Sequence, residues 1–183
     1  MDIKDLIEGC KKGDPASQRA LYTTHSYKMM GVCLRYARSR EEAEDMLQET
    51  FIKVFSKIHT FKNEGSLEGW IRRIAVTTAI NHYHSRKTKF NFTPYEEVEY
   101  TNSSSHTSGE VLDQLEAEEL LDIINELPEG YRVILNLYAI EGYSHKEIAD
   151  MLTISEGTSK SQLSRGKKML ETLLTRKNAL SND

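Results

Sequence analysis

Apolar residues recur along this chain at three- and four-residue intervals, and strand-like alternation is nearly absent. That period turns one face of a helix inward, so the pattern predicts an all-α protein. Asp14, followed by Pro15, opens a helix expected to run through Tyr36. Ser39 and Glu42 form a capping box before a helix with Ala43, Leu47, Phe51, Val54, Phe55 and Ile58 on one side. The segment HTFKNEG reads as a loop. Ser66 then caps a helix to Lys87, with Trp70, Ile71, Ile74 and Thr78 facing inward. From Thr88 to Gly109 the period stops, in a stretch holding a Pro and a Ser run. It resumes at Val111 and Leu115 and continues to Leu127. Pro128 opens another helix, which Gly142 ends.

Two further helices follow closely. Ser144 and Glu147 form a second capping box, with Tyr143 and Ile148 placed as its hydrophobic staple. Ile148, Ala149 and Leu152 make the apolar stripe, and Ala149 is small where a second helix must cross. Thr153 and Ile154 form the turn, with Ile154 expected as a buried plug. Ser155 caps the next helix, and Glu156 complements its positive end. That helix turns Ser159, Leu163, Gly166 and Leu170 inward and leaves Lys160, Ser161, Gln162, Arg165 and Lys168 outside. The pair reads as a helix-turn-helix, which presents a cationic and amide-bearing face to phosphates and major-groove edges. The expected architecture is two small helical domains, 1–87 and 111–183, joined by a flexible acidic linker over 88–110. The second domain carries the helix-turn-helix.

Composition narrows the class. A charged fraction of 28% and the absence of a long apolar run argue against membrane insertion. The start MDIKDLIEGCKK has no signal-peptide core, so a cytoplasmic location is expected. Cys10 and Cys33 form no CxxC pattern, and His82 and His84 cannot share a helical face. Neither a disulfide framework nor a metal site is indicated. The net charge of −4 looks wrong for a DNA binder until its distribution is seen. Residues 41–50 hold acids and no base, 69–95 bases and no acid, and 96–126 acids and no base. Residues 157–177 are basic again, with Glu171 the single acid. Two basic faces on one chain suggest two nucleic-acid contacts, with the acidic parts facing a protein or shielding the bases.

The first domain also has candidate chemistry. Asp45, Gln48, Glu49 and Ile52 share one exposed helical strip, and an outward Ile suits a protein partner. The 66–87 helix sets Trp70 and Tyr83 among Arg72, Arg73, Arg86 and Lys87, beside a loop with Phe61, Lys62 and Asn63. Aromatic platforms among cations can hold the bases of a single strand. Trp70 by its spacing reads as core, which leaves the cations as the contacts. No nucleophile–base pair, phosphate loop or metal cluster is visible, so neither an enzyme nor a cofactor is expected.

Four stretches in this order carry a resemblance: DMLQETFIKVF, FKNEGSLEGWIRRIA, LPEGYRVILNLYAIEGYSHKEIADML and ISEGTSKSQLSR. The chain resembles a bacterial RNA polymerase sigma factor of the extracytoplasmic-function type, over nearly its whole length. The resemblance implies core-polymerase binding by Asp45, Gln48, Glu49 and Phe51, to which the exposed strip adds Ile52. It implies capture of a flipped base of the downstream promoter element by the loop with Phe61, Lys62 and Asn63. Melting and reading of that element would fall to Trp70, Arg72, Arg73, Thr77, Arg86 and Lys87. The helix-turn-helix would read the upstream duplex element through Thr158, Lys160, Ser161, Gln162, Arg165 and Lys168. The implied partners are core RNA polymerase, promoter DNA (duplex upstream, a melted strand downstream) and an anti-sigma factor. The competing reading is a stand-alone helix-turn-helix regulator. The chain departs from the family run at Val76, Thr77 and Asn81. It also has Ser159 and Gly166 where Val and Ala are usual. A Gly inside an exposed helix costs roughly 1 kcal/mol relative to Ala, so a soft recognition helix is expected.

Overall fold

The computed structural model describes residues 2–62, 64–89 and 112–180. These form helices and turns, with no strand among the described residues. The chain divides into two compact units, 1–90 and 91–183. The region between Lys89 and Leu112, which holds most of the expected linker, lies outside the described residues.

The first unit is a bundle of α1 (Ile3–Lys11), α2 (Pro15–Leu34), α3 (Arg40–Lys57) and α4 (Leu67–Lys89). Asp14 takes the Ser17 N–H at 2.8 Å and the Ser17 hydroxyl at 2.6 Å, with Pro15 behind it, so the start of α2 is fixed as its sequence implies. α2 ends at Leu34. Tyr36 is fully buried just beyond it, where its N–H bonds the Cys33 carbonyl. Ser39 accepts the Glu42 N–H and caps α3, but Glu42 accepts the Arg38 N–H rather than that of Ser39, so the expected capping box is only half formed. The core is built from Leu21, Met29 and Val32 of α2, Met46, Phe51 and Val54 of α3, and Ile71, Ala75 and Ala79 of α4. Fully burying a large apolar side chain contributes about 1.5–3 kcal/mol, so this seam holds the three helices together. His59 and Thr60, expected as loop, lie in a 3-10 turn at Ile58–Thr60 that seats Ile58 in the core.

The second unit comprises α5 (Leu112–Asn125), α6 (Glu129–Leu135), α7 (His145–Leu152) and α8 (Glu156–Leu180). The helix expected from Pro128 to Gly142 runs without a break, but its second half is wider than an α-helix. After α6 the backbone widens into a π turn at Asn136–Ile140, where the Glu141 N–H reaches the Asn136 carbonyl at 2.9 Å. Gly142 then stops the helix at φ +78°. Val133, Ile134, Leu135 and Leu137 along this stretch are all in the core, with the polar Arg132 and Asn136 buried among them. The capping box at Ser144 and Glu147 is formed. Thr153 closes α7 in the left-handed region at φ 56°, and the Ile154 N–H returns to the Ala149 carbonyl at 3.0 Å. Ile154 is half-buried rather than the sealed plug its position suggested, because the tight turn holds it at the rim.

Gly166 and Ser159 face inward as their spacing predicts, and the cost reckoned for a Gly in an exposed helix does not apply at Gly166. Gly166 is buried, and a Cβ there would lie 3.2 Å from the Tyr131 Cβ on α6. The residue is the crossing point of two helices and not an exposed weak spot. Ser159 is likewise fully buried. The recognition helix thus packs on α6 through a close approach at Gly166.

Candidate functional site

Three surfaces hold the sequence-predicted residues. On α3, Asp45 and Gln48 are exposed, and Ile52 is 69% exposed, so the mixed strip exists. Phe51 is only 3% exposed and packs edge-on against Tyr22, with ring centroids 4.7 Å apart. It supports the strip from beneath. Glu49 is half-buried, with Oε1 2.6 Å from Lys53 Nζ and Oε2 2.7 Å from His82 Nε2. The bond from Lys53 holds the Glu49 carboxyl below the usual range, against its partial desolvation and with help from His82. Lys53 also donates to the Thr78 hydroxyl at 3.2 Å.

On α4, the exposed stripe runs Arg73, Thr77, Asn81, Ser85 and Thr88, and is mostly uncharged. Thr77 returns its hydroxyl to the Arg73 carbonyl at 2.8 Å. Arg86 faces α3 instead of solvent. Its side chain is 11% exposed, pairs with Glu42 and reaches the Tyr36 carbonyl at 3.4 Å. Arg72 is half-buried, and Lys62 and Lys87 are exposed. Trp70 is half-buried and not sealed in the core. It tilts against Phe61, whose ring is 5.4 Å away and 6% exposed. Phe61 is thus the floor under Trp70 and no open platform. Asn63 lies outside the described residues.

On α8, Lys160, Ser161, Arg165 and Lys168 are exposed, and Gln162 and Thr158 are half-buried. Thr158 belongs to the cap: its N–H bonds the Ser155 hydroxyl at 3.0 Å, and the two hydroxyls are 2.9 Å apart. Lys160 lies 3.8 Å from Glu156.

Residues 21–89 match the family model described as Sigma-70 region 2, and residues 117–170 match Sigma-70, region 4. The order and placement of the two modules follow the helices just described. The "ECF RNA polymerase sigma-E factor" of Haemophilus influenzae is 28% identical over 177 residues, 91% of this chain and 92% of that protein. The "RNA polymerase sigma-H factor" of Pseudomonas aeruginosa is 26% identical over 182 residues, 93% of each.

The chain belongs to the extracytoplasmic-function sigma factors.

Among solved structures, the sigma factor RpoE of Bartonella quintana, determined with the anti-sigma factor NepR, shares the fold. It has a TM-score of 0.53 and 20% identity, and covers 86% of this chain and 96% of that one. In this sigma factor the exposed strip and the helix with the cation run are adjacent, on α3 and α4 of one unit, and region 4 holds the helix-turn-helix. Sequence reasoning missed the partners that order these surfaces. They are His82 beneath Glu49, Glu42 on Arg86, and His145, whose Nδ1 lies 2.9 Å from the buried Ser159 hydroxyl. Each pairs residues far apart in sequence, and periodicity carries no signal for that. Among the described residues no helix is long and apolar enough to cross a membrane, and no cluster of metal-ligating side chains occurs.

Proposed function

We propose that this sigma factor docks on core RNA polymerase through Asp45, Gln48, Glu49 and Ile52 of α3, with Phe51 holding that face in place. The protein directs polymerase to a two-part promoter and promotes opening. Lys62, Trp70, Arg72, Arg73, Thr77 and Lys87 are the candidates for the downstream element, with Asn63 in the same loop. Arg86 serves by fixing α4 on α3. Lys160, Ser161, Gln162, Arg165 and Lys168 are the candidates for the upstream duplex, and Thr158 orders the helix that carries them. The protein acts in the cytoplasm and does no covalent chemistry. An anti-sigma factor is a further expected partner, as for the Bartonella protein.

The observation that carries this reading is a region 2 module and a region 4 module on one chain. Ile52, an apolar side chain 69% exposed on the α3 strip, supports the assignment of the docking face. A stand-alone regulator needs only the second module. Co-purification with core polymerase tests the docking face. Gln48→Ala with Ile52→Ser is expected to cut recovery at least ten-fold with unchanged circular dichroism, since both side chains are exposed. Full recovery of core by this variant would remove the strip from the interface.

A further inference from the structure

His145 is the first residue of α7, and three elements meet at its ring. Nδ1 lies 2.9 Å from the Ser159 hydroxyl on α8. The ring stacks on Tyr138 of the π turn, with centroids 4.7 Å apart and planes 21° apart. Lys167, two turns beyond Ser159 on α8, places Nζ 5.6 Å from the Tyr138 ring centre. Tyr138 is itself partly exposed, so this stack stands at the surface of the helix-turn-helix.

The hydroxyl decides the tautomer. Thr24, Thr50, Thr77, Thr88, Thr172 and Thr175 all return their hydroxyl proton to the carbonyl four residues back. Ser159 makes no such bond, and among the described residues its hydroxyl has His145 Nδ1 as its one partner. A buried O–H without an acceptor is costly. The Ser159 proton therefore goes to Nδ1, which leaves the ring proton on Nε2. Nε2 has no partner among the described residues and is not among the buried unsatisfied atoms of the fold. With Nδ1 accepting from Ser159, Nε2–H is left as one donor facing outward. The residues beside the two ends of this bond, Lys146 and Lys160, are exposed cations.

We propose that His145 is a DNA-backbone contact of the upstream reader, its Nε2–H donating to a phosphate while Ser159 fixes the ring. This rests on the assignment of α7 and α8 to the upstream element. The first helix of a helix-turn-helix crosses the DNA backbone and the second enters the groove. An aimed donor on the first helix therefore meets phosphate oxygens rather than base edges. Ser159 is a positioning residue, and its hydroxyl explains why this chain keeps a buried polar group where an apolar one would pack.

The test uses the full chain assembled with core polymerase. Neutral methylphosphonate linkages replace single phosphates of the upstream element in turn. The unaltered protein is expected to lose affinity at several positions. His145→Ala should bind every promoter sequence roughly ten-fold more weakly, the scale of one hydrogen bond to a charged group. At one of the sensitive positions the neutral linkage should cost this variant nothing further. Ser159→Ala should weaken sensitivity at that same phosphate with His145 intact. His145→Gln, whose amide still donates, should retain part of it and serves if His145→Ala melts early. If every linkage penalises His145→Ala and His145→Gln as much as the unaltered protein, His145 makes no backbone contact. If the unaltered protein is insensitive along the whole upstream element, the assignment of α7 and α8 fails and this contact fails with it.

Discussion

His82 Nε2 lies 2.7 Å from Glu49 Oε2, and the contact joins the helix bearing the exposed strip, α3, to the helix bearing the cation run, α4. It is one rung of a ladder. Glu42 pairs with Arg86 at one end, and Lys53 donates to Thr78 at the other. The numbers fall on α4 as they rise on α3, so the helices are antiparallel and clasped along three turns. The two helices expected to face different partners are therefore clasped to each other.

Glu49→Gln tests the middle rung through pH. The folded carboxyl titrates below its ordinary value, chiefly through the Lys53 bond. The associated stability is present above the unfolded value near 4.3 and is lost as pH falls through the lower folded value. The side chain is 40% exposed, so the effect is expected to stay below about 1 kcal/mol. Thermal melts should separate Glu49→Gln from the unaltered protein at pH 7 and bring the two together near pH 3. A constant gap at both would assign the difference to packing.

Arg86→Ala should act on folding. It leaves Glu42 and the Tyr36 carbonyl without their shared donor in a mostly enclosed place. A loss of about 2 kcal/mol in urea unfolding is expected, below the range for a fully buried pair. Unchanged stability with impaired promoter opening would return Arg86 to the DNA surface.

Gly166→Ala sets two effects against each other. Alanine gains about 1 kcal/mol of helix propensity. Its Cβ meets the Tyr131 Cβ at 3.2 Å and the Tyr131 carbonyl at 3.6 Å, and neither can move without shifting α6. Overpacking of this kind costs about 1–3 kcal/mol, so a net loss near 1 kcal/mol is expected in denaturant unfolding. A stabilised variant would show that the α6–α8 crossing is loose.

Gln162→Ala and Arg73→Ala should separate the two readers. Gln162 offers a donor and an acceptor to an adenine edge, worth about 1–3 kcal/mol of discrimination. Promoter-library selection with each mutant holoenzyme should show relaxed preference at one upstream base pair for Gln162→Ala. Arg73→Ala should alter downstream preference or slow opening. A downstream shift from Gln162→Ala would undo the assignment.

Much of this fold is legible in the sequence because its signals are local. Asp14 and Pro15, Ser39, Ser144 and Glu147, and Ser155 all cap the helices that their spacing announces. What spacing could not reveal is which residues meet across helices. Arg86 counted as a free cation because Glu42 is 44 positions away. Gly166 counted as weak because Tyr131 belongs to another helix. The π turn escaped because Asn136, Leu137 and Tyr138 fit a continuing α-helix, and an apolar period does not distinguish the wider turn. The candidate site follows the same division. The exposed strip and the cationic face of α8 follow from period alone, whereas His82 and His145 needed coordinates.

The ladder between α3 and α4 also bears on where the protein resides when polymerase is scarce. A chromosome offers about 10⁶–10⁹ non-specific sites, and each cation free to neutralise a phosphate strengthens binding to all of them alike. Arg86 and Lys53 are turned toward intrachain oxygens instead. Bulk DNA is thereby a weaker competitor for the free chain, and the pool left in solution is the one that core enzyme can recruit.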